Sequence, residues 1–147
     1  MERKIPWHQR TVRWMQTNLT ETDPVRCRIE DWEEIWEENE IQGIIVNAAG
    51  IVAYYPSENP LQYRARTLGN RDLLGEFTEA AHRRGMAVLA RMDINRADER
   101  FHHAHPDWFT IDAEGNPYRT NDGRYYSCVN GGYYREHVPD LLREIIR

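Results

Sequence analysis

The sequence predicts an α/β protein built on a parallel sheet. Three observations carry this expectation. Strand-like and helix-like segments alternate along the chain, which is the order of βαβ units. The run Ile41 to Val46 is almost continuously β-branched, as suits a strand buried on both faces. The segment from Arg71 to Gly85 carries an apolar stripe at helical spacing.

Each element can be justified in turn. Thr11 to Gln16 alternates well enough for a first short strand. Thr17 to Pro24 is polar and contains Asp-Pro, a turn signal. Ile29, Trp32, Ile35 and Trp36 recur at helical spacing among six acidic residues, so this helix has one apolar face and one solvated face. Asn39 tolerates a left-handed conformation and is expected to stop it. After the Ile41–Val46 strand, a loop is expected from Asn47 to Gly69. Asn70 is expected to cap a second helix, with Asp72 in its first turn and Leu73, Leu74, Phe77, Ala80 and Ala81 along its apolar stripe. Arg83, Arg84 and Gly85 close it. Met86 to Met92 is the third strand, and the two crossovers are expected to be right-handed. Trp108–Ile111 and Tyr118–Thr120 flank Asp-Ala-Glu-Gly-Asn-Pro, a hairpin signal. A last helix holds Val138, Leu141, Leu142, Ile145 and Ile146, with Pro139 opening or kinking it.

The 147 residues (17.5 kDa) are enough for one domain with a core. They are 40% hydrophobic and 29% charged, with a mean hydropathy of -0.82. No stretch approaches the roughly 18–20 apolar residues of a membrane span, so no membrane association is expected. With 19 basic and 24 acidic side chains the net charge is -5. No basic stripe is visible, so nucleic acid is not an expected partner. Eighteen of the basic residues are arginine, a bias that fits genomic codon usage. The amino terminus leads into no apolar run. Cys27 and Cys128 form no CxxC and are expected to stay reduced, which suits the cytoplasm.

In parallel α/β architectures chemistry collects at the carboxyl ends of the strands. Here those ends read Gln16-Thr-Asn18, Asn47-Ala-Ala-Gly50 running on to Tyr54-Tyr55, and Arg91-Met-Asp93-Ile-Asn95-Arg96. Amides, a carboxylate, arginines and aromatic rings suit a polyhydroxylated ligand. The polar groups bond hydroxyls, and ring faces cover the CH face of a sugar. Asp93 reads in two ways: as a carboxylate that meets ligand hydroxyls, or as half of an ion pair with Arg91 or Arg96 that pins the loop. Strand alternation would put Arg91, Asp93 and Asn95 on one side.

His102, His103 and His105 invite a metal reading, but no Cys or Glu stands at a familiar offset, and a polar turn explains them. Neither a metal nor a cofactor is expected. Trp108 is a candidate sugar platform, although a large aromatic where a hairpin starts is more often core. The phosphate-binding glycine motifs and the GxSxG elbow are absent. A phosphate nest at Gly131-Gly132 has only weak support.

Several stretches then occur in a telling order. They are Gly50-Ile-Val-Ala-Tyr-Tyr-Pro56, Arg71-Asp-Leu-Leu-Gly-Glu76, Ala80-Ala-His-Arg-Arg-Gly85, His105-Pro-Asp-Trp-Phe109, Asp112-Ala-Glu-Gly-Asn-Pro117, Cys128-Val-Asn130 and Tyr133-Tyr-Arg-Glu136. From about Val12 onward this resembles the amino-terminal half of a (β/α)8 glycoside hydrolase, of the hypothetical glycosyl hydrolase family 6 type, distantly similar to α-L-fucosidases. The resemblance implies a partial TIM barrel: the first three β/α units, with a β-hairpin inserted after strand 3. A complete barrel takes about 250 residues, so residues 1–147 would be the amino-terminal part of one. It also implies a carbohydrate ligand, with Asn47, Arg91, Asp93 and Asn130 lining or bordering the mouth and Tyr54, Tyr55 and Trp108 stacking. Fucosidase-like relatives carry a histidine pair at the end of the second strand; here Asn47-Ala48-Ala49 stands there, which speaks against fucose. In relatives the nucleophile ends the fourth strand, which would begin after Arg147. No catalytic residue is therefore expected within these residues, and the chain alone should be inactive. Two other readings compete: a non-catalytic carbohydrate-binding or regulatory module, and a half-barrel that self-associates through its open edge.

Overall fold

The computed structural model describes residues 5–147. A short helix α1 (Trp7–Arg10) leads into β1 (Trp14–Gln16), a 3-10 turn and α2 (Ile29–Glu38). There follow β2 (Gly43–Gly50), α3 (Leu73–Arg83) and β3 (Ala87–Asp93). The remainder holds β4 (Arg96–Ala97), α4 (Glu99–Ala104), β5 (Tyr125–Tyr126), a π-helical turn Tyr133–His137 and α5 (Val138–Ile146). The three strands form one parallel sheet in the order β1-β2-β3. The expected α/β class with two βαβ crossovers is what the chain adopts.

The main core lies where α2 and α3 pack on the sheet. Trp36 from α2, Phe77 and Leu73 from α3, and Ile44 and Val46 from β2 are fully buried. Trp32 meets Phe77 edge-on at 5.6 Å between ring centroids, a favoured aromatic geometry. A second cluster holds the insertion together through Phe101, Phe109, Tyr125, Tyr133 and Val138, and Met92 on β3 touches both clusters.

Boundaries differ from expectation for local physical reasons. β1 is shorter than Thr11–Gln16 because the Gln42 side chain accepts the backbone N–H groups of Val12 and Arg13. β2 runs through Asn47-Ala-Ala to Gly50 instead of ending at Val46. The cap of α3 is Asp72, not Asn70: its carboxylate accepts the Gly75 N–H at 2.8 Å, and the helix starts at the next residue. After α2 the left-handed residue is Glu40 (φ 49°), while Asn39 holds the helix end by donating from its side chain to the Ile35 carbonyl. Ile35 itself is exposed. The hairpin turn at Asp112-Ala-Glu-Gly-Asn-Pro forms, with Asp112 and Tyr118 donating to the Asn116 and Thr110 carbonyls. It extends into a short meander, because β5 pairs with β4 and with Arg119.

A bulge in β2 positions everything that follows. Asn47 pairs with Arg91 and Ala49 with Met92, so Ala48 is the extra residue. Beyond it Gly50 (φ 103°) crosses β3 so closely that a Cβ would stand 2.2 Å from the Asp93 carbonyl oxygen. Only glycine fits there.

Candidate functional site

The parallel strands place Thr17, Asn47 and Asp93 at one edge of the sheet, and side-chain hydrogen bonds join them across all three strands. Asn47 is 5% exposed. Its Oδ1 accepts from the Thr17 hydroxyl and from the Leu19 N–H, both at 3.0 Å. Thr17 Oγ1 in turn accepts the Asn47 backbone N–H. Two donors on Oδ1 fix the amide, which leaves Nδ2 facing Asp93 Oδ2 at 3.5 Å.

Arg91 grips the other carboxylate oxygen, with Nε and Nη2 at 3.0 and 2.9 Å from Asp93 Oδ1. Its Nη1 reaches Asn18 Oδ1 at 3.1 Å. Both alternatives for Asp93 therefore meet in one arrangement. The ion pair exists, with Arg91 and not Arg96, yet Oδ2 remains only lightly engaged at the edge of a cavity of about 290 Å³. Leu19, Glu21, Asn47, Tyr54, Asp93 and Arg124 are among the residues that line it. An oxygen so placed can accept a ligand hydroxyl while the guanidinium balances its charge.

Tyr54 donates to the Leu19 carbonyl at 2.7 Å. Burial first, and then the nearby Asp23 and Asp93 charges, push its phenol well above the ordinary tyrosine range. It is 3% exposed, so it closes the cavity wall and does not stand open as a platform.

The structure brings Asn47, Tyr54, Arg91 and Asp93 together and places the other candidates elsewhere. Tyr55 turns toward α5, where its hydroxyl donates to Glu144 Oε2 at 2.8 Å. Trp108 stacks on His105 at 3.8 Å and presses against Gly132, where a Cβ would stand 2.2 Å from the indole nitrogen. It belongs to the insertion's packing. Asn130 sits exposed in a turn before the last helix. Asn95 is exposed past the end of β3, its carbonyl taken by Ser127 N–H. His102 stacks flat on Tyr125 at 3.9 Å. Among the described residues, no three His, Cys, Asp or Glu side chains converge as metal ligands.

Sequence reasoning missed Glu21 and Arg124 as cavity residues. Glu21 follows the first strand end closely enough for position alone to flag it. Arg124 carries no such signal, because it is folded back from the insertion.

Comparison with known proteins fits this architecture. The fold is similar to that of alpha-L-fucosidase isoenzyme 2 from Paenibacillus thiaminolyticus, at a TM-score of 0.67 and 23% identity. The likeness covers 87% of this chain and 20% of that one, so the chain spans about a fifth of the fucosidase's length. No curated protein matches the chain. The class is thus an α/β protein related to the glycoside hydrolases. More narrowly, the chain belongs to the hypothetical glycosyl hydrolase 6 family, whose model matches residues 30–147. That match begins within α2 and leaves β1 outside it. Among the described residues, no helix is long and apolar enough to cross a membrane.

Proposed function

We propose that the chain binds carbohydrate at the carboxyl ends of β1, β2 and β3, as the amino-terminal part of a glycoside hydrolase-like (β/α)8 barrel that cleaves O-glycosidic bonds. The observation that carries this reading is the Asn18–Arg91–Asp93–Asn47–Thr17 network, which spans the three strand ends and leaves Asp93 Oδ2, held only by the long contact to Asn47, open to hydroxyls. Family membership supports the hydrolase part. Cleavage by most such enzymes needs two carboxyl groups about 5–5.5 Å apart when retaining, or about 6.5–9.5 Å when inverting. Asp93, clamped by Arg91, is a binding group in this scheme, and the cleaving pair belongs to later strands of the barrel.

The outer edge of β3 supports the barrel. No strand pairs with it among the described residues, and Leu89 is 39% exposed on it. A fourth strand would cover that edge. A second copy of the chain would cover it too, and sedimentation distinguishes the two by the presence of a dimer.

A glycan array probed with the chain tests the binding reading. Binding to a saccharide, weakened at least tenfold by Asp93→Asn with the melting temperature retained, is the expected result. Failure to bind any glycan would overturn it. The chain alone should hydrolyse no aryl glycoside, and turnover that Asp93→Ala abolishes would show that the catalytic group had been misplaced.

A further inference from the structure

A cavity larger than the one at the strand mouth lies elsewhere. It measures about 570 Å³ and lies against the loop between β2 and α3, within the size range of ligand clefts. The mouth cavity shares Glu21, Ile51 and Arg124 with a neighbouring cavity of about 240 Å³, and that one shares Tyr63 with the large one. The three adjoin along one side of the molecule.

The large cavity has its own chemistry. Arg64, Arg66 and Arg100 line it against a single carboxylate, that of Glu58. Arg64 is exposed and makes no hydrogen bond or ion pair among the described residues. Arg66 reaches the Glu21 carboxylate only at a loose 3.8 Å and stands beside the Tyr63 hydroxyl. Arg100 lies over the Tyr63 ring, 5.8 Å from its centroid, and spends Nε and Nη2 on one oxygen of Asp98, which leaves Nη1 unengaged. In a chain of net charge -5, three under-partnered guanidinium groups around one hollow suit an anion.

A second observation is independent of charge. Gln62 also lines the cavity and is 5% exposed. Its Nε2 donates to the Gly50 and Tyr63 carbonyls at 2.8 and 3.0 Å. Both partners are acceptors, so the amide cannot be reversed. That leaves Oε1 buried with no donor. A buried acceptor without a donor is costly, so the loop keeps Gln62 in place at a cost, for its hold on the Gly50 carbonyl behind the cavity wall.

We propose that this cavity is a subsite for an anionic sugar residue, with Arg64, Arg66 and Arg100 taking its carboxylate or sulfate and the buried Gln62 holding the wall in place. The proposal rests on the carbohydrate reading of the mouth. It adds that the saccharide is long enough to reach the loop and carries negative charge there. Because Gln62 Nε2 holds the Gly50 carbonyl, the subsite is tied to the same close crossing that positions Asp93.

Calorimetric titration of the chain with tetragalacturonate, neocarratetraose sulfate, maltotetraose and inorganic sulfate tests this. At least one charged tetrasaccharide should bind ten times or more as tightly as maltotetraose, and the tighter of the two identifies the anionic group. The advantage should shrink in 0.5 M salt, where screening is stronger. The double variant Arg64→Ala/Arg66→Ala, altered only at exposed side chains, should abolish the advantage and keep the melting temperature. Equal affinity for charged and neutral sugars, retention of the advantage in the double variant, or no binding at all would overturn the subsite. Inorganic sulfate binding as tightly as the charged sugars would reduce it to a plain anion site. Asp93→Asn separates the two readings: it should weaken every tetrasaccharide and leave the charged-to-neutral ratio alone. If it weakens none while the arginine dependence holds, the mouth reading fails and the subsite stands.

Discussion

Asn47→Ala tests whether the network across the strand ends holds the site together. The substitution removes the acceptor of two hydrogen bonds at 3.0 Å and a weaker donor contact at 3.5 Å. Thr17 Oγ1 has a fallback, since the Ile45 carbonyl lies 3.5 Å away. The Leu19 N–H has none. That N–H is half-buried beside the cavity, so leaving it unpaired costs about 1–2 kcal/mol, and the lost hydroxyl bond adds about 0.5–1.5 kcal/mol. The total is about 1.5–3.5 kcal/mol. Urea unfolding followed by tryptophan fluorescence reads it, with buried Trp36 beside Phe77 as reporter. At about 2–4 °C per kcal/mol for a chain of this size, the melting temperature should fall by about 3–14 °C. Asn47→Asp supplies the contrast. It keeps the acceptor for Thr17 and Leu19 but sets a second carboxylate against Asp93. Two such groups share a proton, so the folded-state pKa of the pair rises above the unfolded value of about 3.9. The deficit of Asn47→Asp relative to the wild type should therefore be small near pH 4 and grow as pH rises. A loss under about 0.5 kcal/mol for Asn47→Ala, or an Asn47→Asp deficit flat with pH, would refute the network.

Two further outcomes follow from the same structure. Gly50→Ala should cost about 3 kcal/mol or more, because its Cβ would stand 2.2 Å from the Asp93 carbonyl oxygen at a φ of 103°. An unchanged melting temperature would disprove the close crossing. His137 is 3% exposed among Phe101 and Tyr133, with Asn59 at its Nδ1. Burial pushes its pKa down to about 4; Asp140 and Glu144 oppose the shift and His105 adds to it. The stability this neutral histidine brings is complete above about pH 6.5 and drains away as pH falls toward 4, by about 3 kcal/mol. Urea midpoints at pH 7 and 4.5 should differ less in His137→Gln than in the wild type, and parallel curves would contradict the burial argument.

Much of the fold was legible because the signals are local. The β-branched run Ile41–Val46 and the stripe Leu73–Leu74–Phe77–Ala80–Ala81 carry their periodicity within one element, and both became the core. The polar ends of the strands were equally plain, since Asn47, Arg91 and Asp93 stand where apolar runs stop. The candidate aromatics were harder to place. Tyr54 and Tyr55 are adjacent, yet one closes the mouth and the other turns to Glu144 on α5. Trp108 went to its own cluster because His105 and Gly132 lie against it. Each choice depends on a partner far along the chain.

For the three-stranded sheet and its helices α2, α3 and α5, the sequence by itself determined the kinds of element, their order and their inward faces, whereas α4, which carries His102 and His103, stood as a polar turn. Those follow from hydrophobic periodicity and turn chemistry, which act over a few residues. The tertiary structure alone decided which polar groups meet. A one-residue bulge at Ala48 sets how Asn47 and Asp93 face each other across two strands. The insertion returns Arg124 to the same cavity from a distance in sequence that no local pattern encodes. Side-chain alternation can name the candidates on a strand. Only the pairing register and the packing of distant segments place them within hydrogen-bonding reach.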